Sequence, residues 1–148
     1  KSLTIIGAGY HPDSTLAFLA TIFDVALSSG ASGGKLTGVI GTVQFPGSTV
    51  TMTSYTIKRC YINNLYGASS SVYTNNVNNL LITECIIISI NNSYLAFGSV
   101  LFEKNILLPS VTYTKTATFF NNIFYEDGSF QGYYNSFLHN NIFIVIIA

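Results

Sequence analysis

The segments "IKRCYI" (residues 57–62) and "ITECII" (residues 82–87) share one six-residue frame. The frame is a large apolar residue, two variable positions, Cys or Asn, any residue, and an apolar residue. It recurs as "FEKNIL" (102–107), "FFNNIF" (119–124) and "LHNNIF" (138–143), so that successive frames start 25, 20, 17 and 19 residues apart. Self-similarity at a nearly constant interval indicates a repeat architecture.

The composition of each repeat favours strands. Short runs of Ile, Val, Phe, Tyr and Thr alternate with Asn, Gly and Ser, which is typical of strands and turns. The interval is too short for a pair of helices, and Leu is not spaced as leucine-rich repeats require. Strands without intervening helices run parallel when the chain winds as a solenoid, each pairing with its equivalent about 4.8 Å away. The sequence predicts an all-β parallel β-helix with coils of about 17–25 residues.

The fourth position of the frame forms a column of Cys60, Cys85, Asn105, Asn122 and Asn141. Asn tolerates a left-handed backbone, so we expect this column at the bend between two strands. Stacked asparagines can hydrogen-bond along the axis as amide ladders do, and cysteines fit the same interior column as small apolar residues. A disulfide between the two cysteines is an open alternative, because neighbouring coils bring their Cα atoms near the required distance.

The third position of the frame forms a second column, which we expect on the outer surface. Its members are Arg59, Glu84, Lys104, Asn121 and Asn140. The first three alternate in charge, and each exposed pair contributes about 0.2–1 kcal/mol, so their expected role is register and solubility. At an outward position, Asn121→Leu is expected to change stability by no more than about 0.5 kcal/mol.

The opening "TIIGAGYHPDST" (residues 4–15) has the start of a dinucleotide-binding turn but lacks the rest of it. Gly7 and Gly9 are followed by Pro12 where that motif needs a third glycine or alanine, and no strand–helix–strand pattern follows. We expect the glycines to let the chain turn tightly off a first strand, residues 3–6. The segment "TIFDVAL" (21–27) fits either a strand or part of a helix, and the downstream repeat favours the strand.

Composition excludes several classes of protein. The chain is 49% hydrophobic and 8% charged with zero net charge, which does not favour a nucleic-acid partner. No window offers the roughly 18 uninterrupted apolar residues of a membrane-spanning helix, and "LLITECIIISI" (80–90) and "NIFIVIIA" (141–148) fit strands. The chain lacks an initiator Met and a signal-peptide pattern, so we expect a mature chain or a segment of a longer one.

Residues suited to acid–base chemistry are few. Glu126 and Asp127 in "YEDGS" are weak candidates for metal ligands, and a polar turn is the simpler interpretation. His11 and His139 have no evident nucleophile as a partner, and no nucleophile-elbow, zinc-protease or phosphate-loop motif occurs. We therefore expect no catalytic residue, no metal and no cofactor.

Several stretches resemble a known superfamily. "LTIIGAG" (3–9), "GKLTGVIG" (34–41) and "ITECIIISINN" (82–92) resemble right-handed parallel β-helix proteins of the pectate-lyase-like superfamily. "GAGYHPDST" (7–15) with "TIKRCYINN" (56–64) is similar to the β-helix regions of large secreted Bacteroidota surface proteins. The resemblance implies a right-handed coil and secretion. Enzymes of this superfamily use an Arg or Lys base with acidic calcium ligands, or clustered aspartates, so it also implies a carbohydrate-active alternative.

Two short patterns matter if the chain is secreted. Asn91 begins an N-glycosylation acceptor, and Ser14 lies in a short motif that resembles a Bacteroidota O-glycosylation site. Tyrosines that could stack on sugars lie near the expected turns or at alternating positions. They are Tyr55, Tyr61, Tyr66, Tyr73, Tyr94, Tyr113, Tyr125, Tyr133 and Tyr134.

Together these features predict one β-helix domain over residues 1–148, less regular over 1–55 and regular over 56–148. The expected function is a non-catalytic structural or adhesive segment of a secreted or cell-surface protein. The alternative is a polysaccharide lyase, a glycoside hydrolase or a glycan-binding module on the same fold. The stretch after Asn141 lacks charge, proline and turn residues, so we expect flanking polypeptide or another copy of the chain to cover that end.

Overall fold

A computed structural model describes residues 2–7, 24–45, 51–67, 77–91, 98–108, 117–125 and 137–144. These residues form one short 3-10 helix, Ser29–Ala31, and seventeen strands. In chain order the strands are β1 (Thr4–Ile6), β2 (Val25–Ala26), β3 (Lys35–Thr37), β4 (Ile40–Phe45), β5 (Met52–Thr53), β6 (Thr56–Lys58), β7 (Tyr61–Gly67), β8 (Val77–Asn78), β9 (Leu80–Thr83), β10 (Ile86–Ile87), β11 (Ile90–Asn91), β12 (Val100–Glu103), β13 (Ile106–Leu107), β14 (Ala117–Phe120), β15 (Ile123–Tyr125), β16 (Phe137–His139) and β17 (Ile142–Ile144). Within these ranges no helix has the length and apolarity needed to cross a membrane.

The strands form parallel sheets along the axis of a solenoid. One sheet has the order β1-β3-β6-β9-β12-β14-β16, and the other has the order β17-β15-β13-β10-β7-β4-β2 with β11 also paired to β7. Strands β5 and β8 form a small third sheet. Successive passes of the chain therefore lie side by side, which confirms the all-β parallel β-solenoid. The right hand of the coil stays a prediction.

The observed register follows the repeat of the sequence. Ile57 pairs with Ile82, which pairs with Phe102, and the series continues through Phe119 to Leu138. These pairs reproduce the intervals of 25, 20, 17 and 19 residues between the frames.

Pairing of Leu36 with Ile57, and of Ile5 with Leu36, extends the same stack toward the start of the chain. The segment starting at Leu36 is thus a further frame. The recurring Cys or Asn does not reveal this frame, because Val39 stands at that position.

The interior of the solenoid is filled by the first position of each frame. Leu36, Ile57, Ile82, Phe102 and Phe119 are each fully buried. The Phe102 and Phe119 rings stack with centroids 4.8 Å apart. Burying a side chain of this size contributes about 1.5–3 kcal/mol, so this column is a main source of stability.

Leu138 was expected inside the solenoid with the other members of this column. It is instead 45% exposed. The reason is its place on β16, the last strand of its sheet among the described residues.

In the described coils from Leu36 onward, the bend between the two main sheets uses one left-handed residue. The residues at this bend are Gly38, Arg59, Glu84, Lys104, Asn121 and Asn140, with φ between 52° and 66°. The expectation that the Cys/Asn column adopts this conformation is therefore wrong, because the left-handed residue is the one before it. At this bend two successive side chains, such as Lys58 and Arg59, face outward, and Cys60 then returns to the interior.

A second left-handed column, which the sequence analysis missed, lies before the first main sheet. Its members are Gly33, Ser54 and Asn79, with φ of 71°, 56° and 54°. The Gly33 N–H donates to the Thr53 carbonyl, and the Ser54 N–H donates to the Asn78 carbonyl. Each coil in this part of the chain therefore turns at two stacked bends.

The start of the chain, Thr4–Ile6, is a first strand, as expected. The Gly7 N–H donates to the Thr37 carbonyl at 2.9 Å. A Cβ at Gly7 would collide with the Gly38 carbonyl oxygen, so a close backbone approach requires glycine here. Val25 and Ala26 lie in β2, which pairs with β4, so this part of "TIFDVAL" is a strand. Gly9 and Pro12 lie outside the described residues.

Lys104→Asn is expected to stabilise the protein, because Lys104 has a φ of 56° and Asn tolerates this conformation better. The expected gain in free energy of unfolding is about 0.5–1 kcal/mol. Urea denaturation measures it. The matched control is Lys35→Asn in strand β3, where Asn is unfavourable and no gain is expected. Equal shifts for the two variants would contradict the role of the left-handed bend.

Candidate functional site

A ladder of asparagine side chains runs along the interior of the solenoid. The Asn105 N–H and Nδ2 both donate to Asn122 Oδ1, at 2.9 and 3.1 Å. The Asn122 N–H and Nδ2 donate to Asn141 Oδ1 at the same two distances. Each Nδ2 also donates to a carbonyl of the preceding coil, as Asn122 does to Phe102 at 2.9 Å. The ladder satisfies the polar groups that the bends bring inside the protein.

The cysteines continue this ladder with weaker contacts. The Cys85 N–H donates to Asn105 Oδ1 at 2.9 Å, whereas the Cys60 N–H donates to the Cys85 sulfur at 3.4 Å. Both cysteines are free thiols and both are buried, so this structure contains no bridge between them. The hydrogen bond with Cys60, together with burial, raises the pKa of the Cys85 thiol above its ordinary value. Cys85 is therefore protonated at neutral pH and is a structural residue of low reactivity.

The outer charge column is shorter than the sequence suggested. Arg59 Nε lies 2.6 Å from Glu84 Oε2, and Lys58 Nζ lies 2.9 Å from Glu84 Oε1. Lys104 pairs with its own neighbour Glu103, at 3.5 Å. The structure thus brings together Arg59 and Glu84 and adds Lys58, which the sequence analysis did not assign. Hydrogen bonds from Lys58, and then from Arg59, lower the pKa of the Glu84 carboxyl.

Tyr55 is the buried member of the tyrosine set. Its hydroxyl has no hydrogen-bond partner among the described residues. Burial, with a smaller contribution from Cys60, raises its pKa to about 12. Tyr61, Tyr66 and Tyr125 are half-buried in strands, and the other five tyrosines lie outside the described residues. A continuous tyrosine platform is therefore not part of the described surface.

The remaining candidate residues are only partly covered by the structure. Asn91 is the last residue of β11. Ser14, His11, Glu126 and Asp127 lie outside the described residues. Within the described ranges, no three His, Cys, Asp or Glu side chains lie close enough to hold a metal ion.

The most distinctive surface of the described chain is the edge formed by β16 and β17, here called the open edge (residues 137–144). These are the outermost strands of the two main sheets. The large apolar side chains there are Phe137, Leu138, Ile142, Phe143 and Ile144, which are 63, 45, 57, 51 and 39% exposed. Lys, Arg, Asp and Glu are absent from this edge. Natural proteins normally blunt such an edge with charge, proline or a covering element.

Aromatic stacks also end at the open edge. Phe143 stacks on Phe124 with centroids 4.7 Å apart, and His139 stacks on Phe120 at 5.3 Å. In both pairs the outer ring belongs to the last described coil. At the open edge, the Phe143 and His139 rings therefore expose the faces on which the equivalent ring of a further coil would stack.

These features define a parallel β-solenoid with an internal polar ladder and an apolar open edge. The chain matches no protein-family model, no curated protein and no solved structure.

Asn122→Leu is expected to lower the free energy of unfolding by about 2–4 kcal/mol, because it leaves the buried Asn105 N–H without an acceptor and removes the Nδ2 donor to the Phe102 carbonyl. Thermal and urea denaturation measure the loss. The neighbouring Asn121 provides the control, and its left-handed φ of 57° corrects the expectation that leucine is tolerated there. Asn121→Gly should fall within about 0.5 kcal/mol of wild type, and Asn121→Leu should cost about 1 kcal/mol. A loss for Asn122→Leu no larger than that for Asn121→Leu would contradict the ladder.

Glu84→Gln is expected to flatten the acid side of the stability profile. The folded pKa of Glu84 lies below its unfolded value, so the ion pairs contribute stability above the unfolded pKa and lose it as pH falls through the folded pKa. The difference stays under about 1 kcal/mol because a third of the side chain is exposed. Urea midpoints between pH 6 and pH 3 test this. Lys58→Gln should give an intermediate profile, and parallel profiles for wild type and Glu84→Gln would disprove the assignment.

Proposed function

We propose that this chain is a structural, non-catalytic β-solenoid segment whose open edge packs against a further solenoid coil. The observation that carries the proposal is the apolar open edge, where Phe137, Phe143 and Ile142 are each more than half exposed. A stack of in-register coils buries its core only between neighbours, so the apolar side chains of the coil of β16 and β17 become buried only against a further coil.

The interior supports this role more than it supports catalysis. The described interior is built from apolar columns and one hydrogen-bonded polar ladder, which is an arrangement suited to rigidity. The titratable groups with shifted pKa are Tyr55, Glu84 and the two cysteines, and each is explained by burial or by a neighbouring coil. Rigid repetition along one axis is what a spacer or an adhesive stalk requires.

The cellular setting belongs to the same proposal. The stretches that resemble pectate-lyase-like β-helices and secreted Bacteroidota surface proteins favour a secreted or cell-surface protein. A covering coil could come from flanking polypeptide or from another copy of the chain. Under this proposal glycans are secondary ligands, bound through exposed aromatic rings such as His139 beside Phe120.

The isolated chain is expected to associate in a concentration-dependent manner, because the apolar side chains of the described open edge are exposed. Sedimentation velocity across the micromolar range measures this association. Phe143→Lys places a charge on the edge and should give a monomer. Ile106→Lys is the matched control, since Ile106 is an exposed apolar residue in β13, away from the edge, and should behave as wild type.

Circular dichroism of both variants verifies that they keep their strand content. A wild-type chain that stays monomeric and stable at every concentration would overturn the proposed function.

A further inference from the structure

The hydrogen bonds of the asparagine ladder all run in one direction along the solenoid axis. This direction determines which residue of a covering coil can continue the ladder at the open edge. In each step the asparagine of one coil donates its N–H and one Nδ2 hydrogen to the Oδ1 of the next coil. The next asparagine in turn donates its Nδ2 to a carbonyl of the first-position residue one coil back, as Asn141 does to Phe119 at 2.9 Å. The same asparagine column therefore both accepts and donates across every junction.

At Asn141 this pattern ends, and two hydrogen-bond donors of Asn141 have no acceptor among the described residues. Its Oδ1 and one Nδ2 hydrogen are used by Asn122 and Phe119. Among the described residues, its backbone N–H has no acceptor, and its second Nδ2 hydrogen has none either. By the repeat of the ladder, the next acceptor for a donated amide would be the carbonyl of Leu138. A residue that covers this position must therefore form three hydrogen bonds. It accepts two, from the Asn141 N–H and Nδ2, and it donates one to the Leu138 carbonyl.

Asparagine meets this requirement in the geometry already seen at Asn122 and Asn141. Aspartate accepts two hydrogen bonds but donates none when ionised, and burying its charge is unfavourable. Cysteine is a weaker acceptor, as the 3.4 Å contact of the Cys60 N–H with Cys85 shows beside the 2.9 Å contacts of the asparagines. Leucine or alanine would leave the Asn141 N–H buried without an acceptor.

The first coil of a second copy does not meet the requirement. The sequence contains no asparagine before Asn63, so the first coil of a second copy has none to offer at the ladder position. Head-to-tail stacking of two copies would therefore cover the apolar rings of the edge but leave the ladder incomplete.

We propose that the coil that covers the open edge has asparagine at the ladder position and a large apolar residue three positions before it. This inference rests on the proposed function, since it specifies the partner of the same edge. The partner is thus a parallel coil of the form seen at Phe119–Asn122, supplied by a chain segment other than the first coil of a second copy.

The test extends the full chain by one coil. A copy of residues 130–148, which matches the 19-residue interval between Asn122 and Asn141, is appended after Ala148. One version keeps the copied asparagine, a second has Asn141→Leu in the copy only, and a third has Asn140→Gly in the copy only as the matched control. Hydrogen exchange of the Asn141 backbone amide is the readout, and the Asn122 amide reports that the solenoid is folded.

The expected result is about tenfold or greater slowing of exchange at Asn141 with the asparagine and Asn140→Gly copies, and little slowing with the Asn141→Leu copy. Equal slowing with all three copies would overturn the requirement for asparagine while leaving the proposed function standing. No slowing with any copy would overturn both. If the unextended chain protects its Asn141 amide as it associates, a second copy completes the ladder and this inference is wrong.

Discussion

The left-handed residue at each bend between the main sheets is the constraint on which the rest of the structure depends. Because Gly38, Arg59, Glu84, Lys104, Asn121 and Asn140 all adopt it, the described coils from Leu36 onward turn at the same point of the frame. The turn interrupts the strict alternation of a strand, so two neighbouring side chains face outward and the next one enters the interior. That inward residue is always the ladder residue. One backbone conformation thus places both features. It directs Arg59 and Glu84 to the surface, where they pair, and it directs the ladder amides to the interior.

The ladder changes in character along the axis. Val39, Cys60 and Cys85 occupy it in the earlier coils, and Asn105, Asn122 and Asn141 occupy it in the later ones. An aliphatic or thiol side chain leaves neighbouring backbone groups with weak partners, while Asn105 and Asn122 satisfy donors and acceptors on both sides. The polar part of the ladder also lies nearest the open edge. Its hydrogen bonds make register more specific there than apolar contact alone would, since a shift by one residue would unpair every amide.

Stability and specificity come from different parts of this architecture. Stacked apolar side chains such as Phe102 and Phe119 remove the most surface from water and do not by themselves select one neighbour. The amides contribute less net free energy, yet they are costly to leave unpaired. At the open edge both contributions are exposed together, with Phe143 beside Asn141. A covering coil therefore has to fit in shape and in hydrogen bonding, which limits what can associate there.

By itself, the sequence determined the repeat, the strand class and the members of the ladder, because Ile57, Asn105 and their equivalents recur within a local frame. It also contained an unused signal for the bend, since Gly38, Asn121 and Asn140 are residue types that tolerate positive φ. Only the tertiary structure decided that Arg59, Glu84 and Lys104 share that conformation, that Lys58 joins the Glu84 pair, and that Gly33, Ser54 and Asn79 form a second bend. These features depend on which residues of distant segments lie side by side. A local pattern cannot specify which distant residues become neighbours. The frames of Leu36 and Ile57 are an example, because they share no polar residue that would align them in the sequence.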